Sequence, residues 1–253
     1  TNLAVTLVSG GHSTLLVDLD LSAGDAALLL NLSPTFTVSD AVQNTHRMDR
    51  ELLNGMVLKH VSGLEVLSAS ENPEKAAGMD PVRIAQLLGF LRDHYDCVVV
   101  NTGDVSHPVT QAALAQADLV HVVTTLDLLA LRRTQWCLRR LDQAGIAREL
   151  VRLVVNRYDR NPYISLDEAE KVLELKVSWT VPLDGRSIPE ALNDGIPFMS
   201  RNHNGLATCF EKYAAALVPS GESHPPASPG GKKKVLGIFP KAMARISHHG
   251  ASA

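Results

Sequence analysis

Cysteine is too scarce and too scattered in this sequence to build anything covalent. Cys97, Cys137 and Cys209 are odd in number and far apart. Neither a disulfide framework nor a C-x-x-C metal knuckle is available, which favours a reducing, cytoplasmic compartment. No apolar run reaches the roughly 18 residues of a membrane-spanning helix, and no charged-then-apolar leader announces export. Aromatic residues are only 4% against 45% hydrophobic overall, so the core must be aliphatic, as where helices pack on a sheet. The ten histidines show no ligand spacing, and His121, inside an apolar strand, is expected in the core. A net charge of −3 exerts no global pull on nucleic acid, but it is unevenly spread. Lys232, Lys233, Lys234, Lys241 and Arg245 oppose only Glu222 beyond residue 219, so a tail of net +4 follows a body of net −7. Such a body argues against a strong phosphate-binding face for DNA. At 253 residues, one large α/β domain with an appendage is expected.

What is present centres on residues 13–25, STLLVDLDLSAGD. Leu15, Leu16 and Val17 form an unbroken aliphatic run, the habit of a strand buried on both faces of a parallel sheet. That strand delivers Asp18 and Asp20 at its C-terminal end, where open α/β sheets bind their ligands. Either acid could equally do no more than cap the following turn. After the Gly24-Asp25 turn, residues 26–32 are predicted to be an apolar helix.

Strands and helices then alternate. Asp80-Pro81 is an N-cap followed by proline at the first helical position, and Ile84, Leu87, Leu88, Leu91 and Tyr95 keep helical spacing. Strands are predicted at 97–100, 119–123, 151–155 and 177–181, and a long helix at 126–144. Ser165 and Glu168 form a capping box. Polar motifs end successive strands: Asp18 and Asp20, Asn101-Thr102-Gly103, Asn156 and Asp184. Regular βαβ alternation implies right-handed crossovers and a mostly parallel sheet flanked by helices, and the shared end points to one nucleotide-sized site.

With these residues in place, the chain resembles the deviant Walker A ATPases of the MinD/ParA group, a branch of the P-loop NTPases. Within that group it is most similar to the CpaE/TadZ proteins of Tad/Flp (type IVb) pilus assembly. The stretches that carry the likeness include LLVDLDLSAGDAALLL, YDCVVVN, ALAQADLVHVVTTLDLLALR, LVVNRYDR and SIPEALNDGIPF. The resemblance implies ATP and Mg²⁺ as ligands, a homodimer, and pilus-assembly components as partners. It implies that Asp20 is catalytic, placing the attacking water, and that Asp18 lies near the Mg²⁺ shell. Asn101 falls at the Walker B/switch II position, where the group has an acid, and a neutral amide cannot neutralise Mg²⁺ in the same way. Asn156 matches the asparagine that contacts the adenine, with Arg157 beside it. The loop from Pro182 to Asp184 lies against the base.

Residues 1–218 are thus expected to be a MinD/ParA-like nucleotide-binding domain, and an N-terminally truncated one. The family's glycine-rich loop, ending Gly-Lys-Ser/Thr, would open the helix that Leu3, Ala4, Leu7 and Val8 trace, so the first strand and that loop are expected to be missing. Gly230-Gly231-Lys232 does not replace it, having no strand before it and no Ser/Thr after it. A non-catalytic scaffold that keeps the fold remains the alternative to an ATP-dependent switch. Residues 219–231, rich in proline, serine and glycine, form a flexible linker. Residues 232–253 form a basic tail in which Phe239, Ala242, Met243 and Ile246 share one helical face, with Lys241 and Arg245 opposite. Such a segment suits the inner-membrane surface, a partner, or no ordered contact.

Overall fold

The computed structural model describes residues 1–70, 78–200 and 205–218. The predicted linker and the basic tail, with Lys232, Lys233, Lys234, Phe239, Lys241, Met243, Arg245 and Ile246, lie outside the described residues. Helix α1 (Asn2–Ser9) leads into strand β1 (Thr14–Leu19), every residue of which is buried. Helices α2 (Val38–Gln43) and α3 (Arg50–Met56) follow, then the short strands β2 (Leu58–Lys59) and β3 (Glu65–Leu67). They pair antiparallel about Ser62-Gly63, where Gly63 has φ +86°, a left-handed turn conformation that glycine tolerates.

Helix α4 (Pro81–Arg92) starts as its sequence predicts, Asp80 accepting from the Val82 N–H. Strand β4 (Cys97–Thr102), α5 (Pro108–Leu114), β5 (Val120–Thr124) and α6 (Leu128–Gln143) come next. Strand β6 (Val151–Tyr158), α7 (Leu166–Leu173), β7 (Val177–Pro182), α8 (Ser187–Asn193) and α9 (Gly205–Leu217) close the described chain. The Ser165–Glu168 capping box is present at the start of α7.

The strands form two ladders, β2-β3-β1-β4 and β5-β6-β7, parallel except for β2. Alternate residues of the strands face opposite layers, as the two-residue period requires. On one face Leu15, Val17, Leu19 and Val98 pack under α2 to α5, while Val120, Val122 and Leu153 pack under α6 and α7. On the other face Leu16 packs under α1, and Val154 and Val181 pack under α8 and α9. The architecture is therefore the predicted α/β layering with a mostly parallel sheet.

One prediction fails. Residues 26–32 do not form a helix; only Leu28–Leu30 make a single 3-10 turn. The Ala26 N–H donates to the Asp18 side chain instead (3.0 Å), and the Leu32 N–H turns back to the Ala27 carbonyl (2.9 Å). Asn31, at φ 50°, ends the turn in the left-handed region. With the Asn31 N–H bonded to the Leu28 carbonyl and the Leu32 N–H to the Ala27 carbonyl, the segment is closed off after one turn.

Candidate functional site

The Asp18 side chain is fully buried and saturated with donors. Its Oδ1 accepts from the Asp20 N–H (3.1 Å) and from Asn101 Nδ2 (2.9 Å), and its Oδ2 accepts from the Ala26 N–H (3.0 Å). Asp18 and Asn101 are direct partners in the β1–β4 register, so the bond follows from strand pairing. The carboxylate thus ties three chain segments together, and its hydrogen bonds satisfy two backbone donors that would otherwise be unpaired.

Asp20 lies just past the end of β1, where strand alternation no longer sets the direction of its side chain. Its Oδ1 accepts from Ser22 Oγ (2.7 Å), the Ser22 N–H (3.1 Å) and the Ala23 N–H (3.2 Å). Burial alone would raise this carboxyl's pKa; the three hydrogen bonds outweigh it and hold the pKa below the usual value. An acid with a serine two residues on is the local sign of such a turn, so Ser22 is legible in the sequence as a partner of Asp20. A glycine packs closely beside each acid. A Cβ on Gly24 would come within 2.2 Å of Ala69 Cβ and 3.0 Å of Asp18 Oδ2, and one on Gly103 within 3.0 Å of Asp20 Oδ1.

Asp20, Asp25, Asn101 and Thr102 border a cavity of about 680 Å³, and Thr1 at the start of α1 shares its wall. The cavity continues between the two ladders. Val98, Val99 and Val100 of β4 line one side; Val120, His121 and Val123 of β5 line the other. Each of these strands has one ladder neighbour, β1 for β4 and β6 for β5. Two parallel edges therefore face each other across a slot. Among the described residues lining this cavity there is no lysine or arginine.

The remaining predicted residues gather elsewhere on the same rim. Asn156 and Arg157 lie in the last turns of β6, where pairing with β7 is irregular between Val155 and Tyr158. Asn156 Oδ1 accepts from the Arg157 N–H (2.9 Å), and Arg157 has φ 54°. Tyr158 pairs with Pro182, and the Leu183 N–H donates to the Tyr158 carbonyl (3.0 Å), so the Pro182–Asp184 loop is held against the end of β6. Asp184 Oδ1 accepts from the Arg186 and Ser187 N–H groups (3.1 and 2.7 Å) and starts α8. The structure brings Asp18, Asp20 and Asn101 into one cluster, and Asn156, Arg157, Pro182 and Asp184 into a second, across the slot.

The Asn101 amide explains itself electrostatically. It donates to a buried carboxylate, and an acid there would face a like charge. We expect Asn101→Asp to cost about 2 kcal/mol, from one charge-assisted hydrogen bond and a partly screened repulsion. Urea unfolding at pH 7 measures it. The carboxyl pair would take up a proton more readily folded than unfolded, so the loss should shrink as pH falls.

No family model matches the chain. The septum site-determining protein MinD of Thermotoga maritima is 24% identical over 227 residues, covering 87% of this chain and 82% of that protein. A ParA family ATPase from Chlorobium tepidum superposes with a TM-score of 0.80 at 26% identity, covering 85% of this chain and 91% of that one. The MinD of Pyrococcus horikoshii, solved with Mg-ADP, gives 0.69 at 22%, covering 85% and 87%. The chain has the MinD/ParA ATPase fold.

Proposed function

We propose that this chain is the body of a MinD/ParA-type switch that binds ATP along the rim where its strands end. The observation that carries the reading is the meeting of Asp20 and Asn101 at the mouth of the slot, with Asn156 and the Pro182–Asp184 loop across it. Asn156 and that loop would hold the adenine. Asp20, kept ionised by Ser22 and Ala23, would orient a water; Asp18 would hold the Asp20 loop in place.

Mg²⁺ commonly keeps several waters and takes only one or two carboxylates besides phosphate oxygens. The Asp20 carboxylate and the Asn101 carbonyl suit that sparse role. No group of three acidic, histidine or cysteine side chains forms a closed cage among the described residues. Bound Mg²⁺ would supply charge neutralisation to the phosphates. The phosphate end does not fit by itself, because a polyanion beside Asp20 and Asp25 without a cation is repelled.

The slot supplies the missing element. The crossovers through α4, α5 and α6 all advance from the β1 side toward β7 with their helices on one face. Helix α1 packs on the opposite face, so a right-handed crossover through it into β1 must run the other way. Since β4 already occupies the place beside β1, the strand feeding α1 belongs between β4 and β5. Its loop into α1 would open onto Asp20, as a phosphate cradle must. The truncated-domain reading rests on this geometry.

The finer assignment follows the quoted sequence stretches: a CpaE/TadZ-like cytoplasmic protein of Tad/Flp pilus assembly, dimeric across ATP, with the basic tail touching the inner membrane or a partner. A second reading, a scaffold with little or no turnover, is favoured by Asn101, a neutral hydrogen-bond donor in place of an acid.

The test is titration with Mg-ATP of the product of the whole gene, beside the 253-residue chain. The gene product should bind saturably, and Asn156→Leu should weaken binding about tenfold. Asp20→Asn should leave binding intact and cut phosphate release about 100-fold. Binding without release supports the scaffold; binding indifferent to Asn156 overturns the site.

A further inference from the structure

Helix α6 buries Leu131, Thr134, Leu138 and Leu141 and turns its other side outward. That outer side carries Leu129, Arg132, Arg133, Trp136, Arg139 and Arg140, with Trp136 54% exposed. From Leu128 to Leu141 there are four arginines and no acid. Arg140 lies over the Trp136 ring, 4.1 Å from its centroid, and donates to Ser106 Oγ, so the indole is held in place as a projecting knob. Exposed tryptophan ringed by arginine is the composition of binding hot spots, not of a solvated surface.

A complementary surface exists on the same molecule, in the other half of the fold. Between α2 and α3 lies a groove of about 730 Å³ with Phe36, Leu52 and Met56 among its walls. Asp40, Asp49 and Glu51 also line it, against one cation, Arg47, among the described residues. Phe36 is 43% exposed there. An apolar floor with an acidic margin is what the α6 knob requires.

We propose that α6 of one copy docks Trp136 and its arginines into the α2–α3 groove of a second copy, head to tail. A two-fold contact of α6 with α6 would set arginine against arginine and is disfavoured. Because knob and groove are different patches, the contact is heterologous and extends into chains or rings. The contact needs no nucleotide.

Sedimentation velocity without nucleotide tests it. At low salt the protein should associate with rising concentration, and high salt should reverse this. Arg132→Glu and Glu51→Lys, both on exposed side chains, should each weaken association about tenfold or more. The decisive arm is the mixture. The Glu51→Lys copy keeps an intact knob and the Arg132→Glu copy an intact groove, so together they should associate at concentrations where neither does alone. Circular dichroism confirms that each variant is folded. A monomer at every concentration, association indifferent to both substitutions, or a mixture that stays monomeric would each overturn the proposal.

Discussion

Replacing Asp18 by alanine should lower the folding free energy by about 4 kcal/mol, the largest effect of any single substitution at the site. Three hydrogen bonds to a carboxylate would vanish together. Two of their donors, the Asp20 and Ala26 N–H groups, belong to the backbone, and Ala26 is itself buried. Water reaches such a place poorly, so the orphaned donors keep much of their desolvation cost. Asp18→Asn should recover part of the loss, since an amide oxygen still accepts. It cannot accept everything: its own N–H₂ group then faces either the Asn101 amide or a backbone donor. Urea midpoints for the three proteins at pH 7 measure the series. An alanine variant within about 1 kcal/mol of the parent would mean that the 20–26 loop has another anchor.

Acidification should weaken the fold through His121. Burial, aided by the neighbouring Arg152, pushes its pKa from 6.5 down to about 4. Arg152 is its direct partner across β5 and β6, and the Tyr213 ring meets it edge-on at 5.6 Å from α9. The folded protein therefore keeps this imidazole neutral while the unfolded chain protonates it. The stabilisation is whole above pH 6.5 and is lost as pH falls toward 4. Between pH 7 and pH 5 the difference is about 2 kcal/mol. Several carboxylates also hold lowered pKa values, Asp20, Asp104 and Asp127 among them, but they lose most of their share below that window. The His121→Phe variant separates the two, because it keeps an aromatic ring against Tyr213 and removes the titration. Its stability should be much flatter across the window; an identical pH slope in both proteins would acquit His121.

The parts of this fold legible in the sequence are those decided by neighbours in the chain. The aliphatic run at Leu15–Val17, the Asp80-Pro81 start and the Ser165–Glu168 box each carry their cause within a few residues. What escaped was decided at a distance. Residues 26–32 have helical composition, yet the chain turns left-handed after one turn at Asn31, which lies against Gly195. The reason for an amide at 101 is an acid 83 residues earlier, visible only once the β1–β4 register is known. The site divided in the same way. That Asp18, Asp20 and Asn101 end strands was readable from pattern; that they meet, while Asn156 and Asp184 stand across a slot, depends on strand order.

The divided sheet also bears on how the molecule comes apart. No ladder carries hydrogen bonds from β4 to β5, so the halves communicate through layers of side chains, such as Val99 with Leu119 and Val154, and the packing of α4 on α5. Such contacts transmit cooperativity less rigidly than a continuous run of paired amides. Each half can loosen on its own clock, and whatever wedges between them would fuse two melting units into one.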